Sequence, residues 1–306
     1  MTPLESYRPW WQPNPFSYRQ WQLWLVRAGF SFLVFDNIKW ATKTYTTQAH
    51  PTGIANFVDL TWLADDPPGF ATKAIVMAGL FLYTIGIAPA LGLFPALFYS
   101  ICIGTLVNSQ GETQHSWQLV TLMCLGQFIV CLLPQRTPLG ALRWQTRTLL
   151  APQLERQQLV AYTATVVIAA SYVVSGIVKL IASDFQWVIR VPYLAVQLLK
   201  NNWAGFYDTG ISPPAWLEQA TRLIIDHPNL ARLFFGSGLV LELTAFIVLI
   251  NRQLAFWFGL ALVSLHVGIF YVMNLTFNQH IAAILIFLVM PNIGHALKRK
   301  NSLGAL

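Results

Sequence analysis

Eight apolar runs, each close to the length that crosses a lipid bilayer, dominate this sequence. A helix that crosses a hydrocarbon core of about 30 Å needs about 20 mostly apolar residues. In chain order the runs cover residues 21–40, 73–90, 93–108, 117–134, 159–181, 233–250, 254–274 and 281–297. They predict an all-α fold: a polytopic transmembrane helical bundle of about eight spans, forming one domain over residues 1–306.

Composition supports a membrane solvent for these runs. Hydrophobic residues make up 55% of the chain and charged residues only 10%, with a mean hydropathy of +0.52, whereas soluble domains carry about 25% charged residues. A soluble enzyme, a disordered regulator and a collagen-like fibre are therefore excluded. The net charge of +7 does not indicate nucleic acid as a partner, because no basic cluster is interleaved with stackable aromatic residues.

Lysine and arginine placement predicts the orientation, because positively charged segments stay on the inner side. With the N-terminus inside, the inner segments carry ten Lys and Arg residues against two acidic residues, and the outer segments carry six against eight. An even number of spans returns the C-terminus to the same side. We therefore expect a multi-pass protein of the cell inner membrane or an equivalent membrane, with both termini cytoplasmic and lipid as its surroundings.

The longest outer segment, at about 182–232, contains a helical pattern. Leu217, Ala220 and Ile224 recur at helical spacing, opposite Glu218 and Arg222. This pattern predicts an amphipathic helix that lies on the outer face or folds back into it.

Charged residues within the first span require partners, because each costs about 2.5–3.5 kcal/mol on insertion scales. Arg27 and Asp36 are half a turn out of phase, so they face opposite ways on a straight helix. Asp36 is three residues from Lys39, at a spacing that allows an ion pair. We expect Arg27 to bridge to a neighbouring span.

Glu242 and His266 are predicted to hydrogen-bond, directly or through water. Counting 1.5 Å per residue along the sixth and seventh spans brings both to about the same depth, and consecutive spans usually neighbour each other. Two interpretations remain open: a polar clasp that joins helices, or a proton relay. Arg27 is a candidate third member of this polar network, and Asp36 is a candidate fourth.

Lys179 and His115 form a second candidate set on the outer side. Tyr172, Ser175 and Gly176 share the helix face of Lys179, a polar stripe that favours an inward-pointing lysine. A desolvated lysine becomes a neutral amine that accepts a proton, and a histidine relays one near neutral pH. The alternatives are a lysine that reaches the headgroups and an ordinary interfacial histidine. Weaker outer candidates are His50, Asn274, Asn278 and His280.

The strings Ser175-Gly176-Ile177-Val178-Lys179-Leu180 and Asp184-Phe185-Gln186-Trp187 resemble the active-site lysine segment of vitamin K-dependent gamma-glutamyl carboxylases and their bacterial HTTM-domain relatives. Other points of resemblance are the first span from Arg27 to Asp36, Gln114-His115, Glu242 in Leu-Glu-Leu, and Leu265-His266. The chain departs from the animal enzymes in having Val178 before Lys179 and glutamine at position 114.

This resemblance implies an outer-facing lyase-like chemistry. Lys179 would be the catalytic base acting on a reduced quinone such as vitamin K hydroquinone, with His115 assisting it. Tyr172, Ser175 and Trp187 would contact this cofactor. The large soluble portion that holds the protein substrate in the animal enzymes has no counterpart here. The resemblance therefore does not imply peptide carboxylation, whereas chemistry on a membrane-soluble quinol or lipid remains open.

Two non-catalytic alternatives remain. One is a transporter or partner-binding subunit with Glu242, His266 and Arg27 along a polar path, and the other is a scaffold whose polar residues only join helices. No metal cofactor is expected, because Cys102, Cys124 and Cys131 lie in apolar runs and no zinc or haem signature is present.

Overall fold

The architecture is all-α apart from one short strand pair. The structure, a computed structural model, describes residues 18–41, 53–64, 68–109, 115–133, 135–136, 142–143, 154–273 and 275–297. His50 and Asn274 and the side chain of Lys39 lie outside this description, as do both termini, so the predicted Asp36–Lys39 pair and the position of the termini are not described.

Among the described residues, each apolar run of the sequence lies mainly in helical structure. The first five helices are α1 (Gln20–Ala41), α2 (Pro68–Ile85), α3 (Pro89–Ser109), α4 (His115–Leu132) and α5 (Leu154–Ala182). The next are α6 (Trp187–Arg190), α7 (Leu194–Thr209), α8 (Ala215–Asp226) and α9 (Pro228–Leu243). The last are α10 (Arg252–Met273), α11 (Asn278–Ile284) and α12 (Ile293–Leu297), and Gln135–Arg136 pairs antiparallel with Leu142–Arg143.

Three of these helices are long and apolar enough to cross a membrane, judged by length and composition. They cover Pro89–Asn108, Arg156–Ala182 and Arg252–Met273, and shorter apolar helices cover Gly69–Ile85, Trp117–Leu132 and Asn278–Asn292. The sixth and eighth predicted spans are less regular than the sequence indicates. A 3₁₀ segment, Ala245–Leu249, follows α9, and the eighth run is divided among α11, a π-helical segment, a 3₁₀ turn and α12.

Pro291 accounts for the break in the eighth run. Proline has no amide hydrogen to continue the helical ladder, and the π-helical segment Leu285–Val289 ends just before it. Polar side chains use carbonyls at this break: Asn292 Nδ2 donates to Leu288 O at 2.8 Å, and Gln22 Nε2 donates to Pro291 O at 2.9 Å. The break is therefore tied to α1.

The segment predicted to lie outside the membrane, at about 182–232, folds into a helical cap, defined as α6, α7, α8 and the start of α9. Its small core consists of Val191, Ala195, Leu198, Ile224 and Ala231, with Val272 and Met273 of α10 packed against it. The predicted amphipathic helix is confirmed as α8: Leu217 and Ile224 are buried, whereas Glu218 and Arg222 are exposed. The cap thus folds onto the carboxyl end of α10.

Candidate functional site

Lys179 and Glu242 form an ion pair between two helices. Lys179 Nζ lies 2.5 Å from Glu242 Oε1 and 2.6 Å from Oε2, so the amine donates to both carboxylate oxygens. Lys179 lies in the last turn of α5, and Glu242 is the penultimate residue of α9. The side chain of Glu242 is 8% exposed and that of Lys179 is 35% exposed. The glutamate is therefore largely shielded from solvent, whereas the lysine is partly accessible.

Gly176 allows the two helices to approach closely at this point. A Cβ atom at Gly176 would lie 2.9 Å from Leu243 Cδ2 and 3.3 Å from the Leu243 backbone nitrogen. Because Gly176 precedes Lys179 by one helical turn on the same face, this approach brings the neighbouring Glu242 within reach of the lysine.

A tight turn after α5 brings an aromatic ring over the lysine. Asp184 and Phe185 adopt φ values of 52° and 60°, a left-handed conformation that is unusual for residues other than glycine. The chain reverses there into α6, and Lys179 Nζ lies 5.8 Å from the centre of the Trp187 ring. At this distance the ring's negative face attracts the ammonium group.

A cavity of about 620 Å³ opens beside the pair. Lys179, Glu242 and Trp187 contribute to its wall, and the rest is mainly apolar side chains of α9, α10 and the following turn, among them Phe234, Phe235, Leu265, Ile269 and Phe277. Small ligands bind in pockets of about 300–1,000 Å³ that are mainly apolar and carry a few polar groups. The cavity has this composition.

A second polar cluster lies next to the cavity. The Tyr172 hydroxyl and His266 Nε2 form a hydrogen bond, and both side chains are buried. The His266 ring centre is 5.4 Å from that of His280 and 5.0 Å from that of Phe277. Since Phe277 also lines the cavity, this cluster adjoins the cavity wall.

Glu242 and His266 were predicted to hydrogen-bond directly or through water. The direct form of this prediction is wrong, and the water-mediated form stays a prediction. Each of the two residues has a different partner on α5: Glu242 pairs with Lys179, and His266 pairs with Tyr172. The physical reason is that α5 presents both partners on one face, two turns apart. An ammonium also satisfies a buried carboxylate better than a neutral imidazole does.

His115 and Ser175 lie away from the ion pair. His115 is exposed at the first residue of α4, with Nδ1 3.4 Å from Gln118 Oε1, and it does not line the cavity. Ser175 is half-buried and, like Tyr172, is not part of the cavity wall. Of the three predicted cofactor contacts, Trp187 is the one in that wall.

Arg27 and Asp36 do not share a network with Glu242 and His266. Arg27 is buried and donates from Nη2 to Gln157 Oε1 at 2.8 Å, which confirms the expected bridge to another helix. Gln157 lies in the first turn of α5, six turns before Lys179 on the same helix. Asp36 is half-buried near the end of α1. The predicted four-residue network is therefore divided among separate regions.

The sequence identified most of the site residues but not which of them contact each other. Tyr172, Lys179, Glu242 and His266 were each singled out, but the Lys179–Glu242 pair was not. The available signal was Gly176 beside Lys179, because a glycine on a polar helix face indicates a close helix neighbour. His280 received little weight, and no pattern in the sequence indicated that it meets His266.

The arrangement offers no evident metal centre. Within the described ranges, no three histidine, cysteine, aspartate or glutamate side chains come together as a metal ion would require. The groups available for chemistry are an ammonium–carboxylate pair at an apolar cavity and a buried tyrosine–histidine cluster beside it.

Comparison with known proteins leaves the family open. The chain matches none of the protein-family models, curated proteins or solved structures with which it was compared.

Proposed function

We propose that this chain is an eight-span membrane protein, with both termini on the inner side, that binds a reduced quinone or a similar apolar hydroxyl compound in the outer cavity and takes a proton from it. The observation that carries the proposal is the Lys179–Glu242 pair in the wall of a mainly apolar cavity of about 620 Å³. A ligand that is mainly apolar and carries one acidic hydroxyl group can place its apolar part against this wall and its hydroxyl group at the ion pair.

The proton count of the pair makes it a suitable acceptor. An ammonium with a carboxylate and an amine with a carboxylic acid hold the same number of protons, so either form accepts one more. After acceptance, Lys179 is an ammonium and Glu242 a carboxylic acid. The positive charge of Lys179 then faces the oxygen from which the proton came, in surroundings of low dielectric where this attraction is strong.

The cavity wall fits a quinone without requiring any further group. Phe234, Phe235 and Phe277 offer surfaces for a ring or an isoprenoid tail, and Trp187 stands beside the polar end. A bound reduced quinone would supply an acidic hydroxyl and two electrons for oxygen chemistry. The chain's own side chains orient it, exclude water and hold the proton. This proposal agrees with the resemblance to the carboxylase and HTTM-domain proteins and keeps Lys179 as a component of the base.

The transporter alternative has less support. A polar path across the membrane would need Arg27 near Glu242 and His266, but Arg27 bonds to the opposite end of α5.

The test uses the purified protein in nanodiscs with menadiol as the probe. Quinones that copurify are identified by mass spectrometry, and aerobic menadiol oxidation is followed by absorbance. Lys179→Ala and Glu242→Gln are each expected to reduce turnover at least tenfold, whereas Lys200→Ala and Glu218→Gln, which alter exposed residues of the cap, leave it unchanged. Equal turnover in all four variants would contradict the proposal.

A further inference from the structure

Three histidines and a tyrosine from four helices form a row between the cavity and the outer end of α4. Tyr172 of α5 hydrogen-bonds His266 of α10, and the His266 and His280 rings are 5.4 Å apart. The Tyr172 and His280 rings are 6.3 Å apart. His280 lies in the first turn of α11, which packs against α4, the helix that begins at the exposed His115. The row therefore runs from a buried phenol to the surface.

The inner end of the row is next to the ion pair. Tyr172 lies two turns before Lys179 on the same face of α5, and Lys179 is the residue that pairs with Glu242. Phe277 lines the cavity and packs against the rings of both His266 and His280. A proton held by the pair thus has a tyrosine–histidine hydrogen bond as its neighbour.

Both inner histidines keep one nitrogen uncommitted. Nδ1 of His266 and Nδ1 of His280 are buried and have no hydrogen-bond partner in the part of the chain that the structure describes. A buried polar atom without a partner is costly and calls for an explanation. An imidazole that accepts a proton on one nitrogen and releases one from the other needs both nitrogens available, and adjacent rings are within reach of one bridging water.

We propose that Tyr172, His266, His280 and His115 form a proton exit from the cavity to the outer surface. The inference rests on the proposed function, since the proton comes from the compound bound beside Lys179 and Glu242. One proton enters at the Tyr172 hydroxyl, passes through the imidazoles of His266 and His280 and leaves at His115. Each member gains and loses one proton, so the row returns to its starting state and the Lys179–Glu242 pair is reset for the next turnover.

The experiment separates proton capture from proton exit. The nanodisc protein is mixed rapidly with 1-naphthol, a small apolar compound with an acidic hydroxyl. Absorbance of the naphthol anion reports capture by the pair, and a pH-indicator dye in weak buffer reports release to the medium. We expect anion formation at an unchanged rate in Tyr172→Phe, His266→Gln and His280→Gln, but at least tenfold slower proton release. His227→Gln, which alters an exposed histidine of the cap, is the matched control.

Two further measurements exclude a merely structural effect of the substitutions. Imidazole added to His280→Gly is expected to restore fast release, and concentrated buffer is expected to restore it in His115→Gln, because buffer substitutes for a surface group. If Tyr172→Phe, His266→Gln and His280→Gln all release protons at the wild-type rate while the naphthol anion still forms, the proposed proton exit is wrong. Absence of the anion in the unsubstituted protein would instead overturn the proposed function, and the exit with it.

Discussion

The two ends of α5 hold cationic groups in opposite ways. At its carboxyl end, Lys179 meets the carboxylate of Glu242 at the wall of a cavity. At the other end, Arg27 meets the neutral amide of Gln157, and Arg156 Nη2 donates to Cys131 O at 2.6 Å and also to Leu133 O, at the carboxyl end of α4. One end thus pairs a cation with an anion, and the other pairs cations with neutral oxygens.

This difference separates a site suited to chemistry from a site suited to structure. A helix carboxyl end carries a partial negative charge and unpaired carbonyls, which a guanidinium satisfies with several donors at once. Arg27 also lies against the carboxyl end of α2, since a Cβ atom at Gly86 would be 2.6 Å from Arg27 Nη1. Neither arginine contributes to the 620 Å³ cavity. We therefore expect substitutions at this end to lower stability, and substitutions near Lys179 to alter ligand binding.

The largest expected effect on stability is that of Gly86→Ala. Gly86 has φ +79°, which is unfavourable for alanine, and the new Cβ would displace the Arg27 guanidinium from α2 and Gln157. We expect a loss of about 2–4 kcal/mol in the free energy of unfolding, measured by denaturant titration in detergent. Gly210→Ala is the control, because Gly210 has a similar φ of +71° but nothing within 4 Å of its Cβ position. Equal losses in the two variants would show that Arg27 packing contributes nothing.

Lys179→Met should have the next largest effect on stability. The substitution leaves the buried carboxylate of Glu242 without its partner, and because Lys179 is itself partly exposed we expect a loss of about 2 kcal/mol, below the range for fully buried pairs. Lys179→Met combined with Glu242→Leu should recover most of this loss and still fail to bind the quinol. A double variant as unstable as the single one would contradict the pairing.

The sequence was a good guide to the helices because apolar length is a local property. The runs at 93–108, 159–181 and 254–274 each coincide with a long helix, and the amphipathic pattern at Leu217 and Ile224 correctly predicted α8. The break at Pro291 was not predicted, because a proline near the end of an apolar run is compatible with a simple helix end.

Side-chain partnerships were harder to predict because they depend on helix rotation and depth. The assumption that consecutive spans supply each other's partners paired Glu242 with His266. In the structure α5 supplies both partners, because its face carries Tyr172 and Lys179 two turns apart. The single-helix inference was sound: the stripe of Tyr172, Gly176 and Lys179 does face other helices. The spacing of residues in a single sequence does not reveal which helices these are.

Gly176→Ala should separate stability from ligand binding. The helix-propensity gain of about 1 kcal/mol opposes the need for Leu243 to move away from the new Cβ, so we expect the free energy of unfolding to change by less than about 1 kcal/mol. The end of α9 must shift, however, which moves Glu242 relative to Lys179, and menadiol affinity should fall several-fold in a titration. In the control Gly104→Ala, with open space at the Cβ position, affinity should be unchanged. Unaltered affinity in Gly176→Ala would indicate that the exact spacing of the pair is unimportant.

The smallest effect is expected at the exposed pair of the cap, Glu218 and Arg222. Arg222 Nη2 lies 2.7 Å from Glu218 Oε1, within one turn of α8, a distance similar to that of the Lys179–Glu242 pair. The hydrogen bond and the charge of Glu218 raise the pKa of the Arg222 guanidinium, so the guanidinium stays charged near neutral pH. Salt weakens this exposed pair. Glu218→Gln should therefore leave both the melting temperature and menadiol binding unchanged at high salt. A melting-temperature loss as large as that of Lys179→Met would mean that distance alone, without burial, determines what an ion pair contributes here, and the contrast between cap and cavity wall would fail.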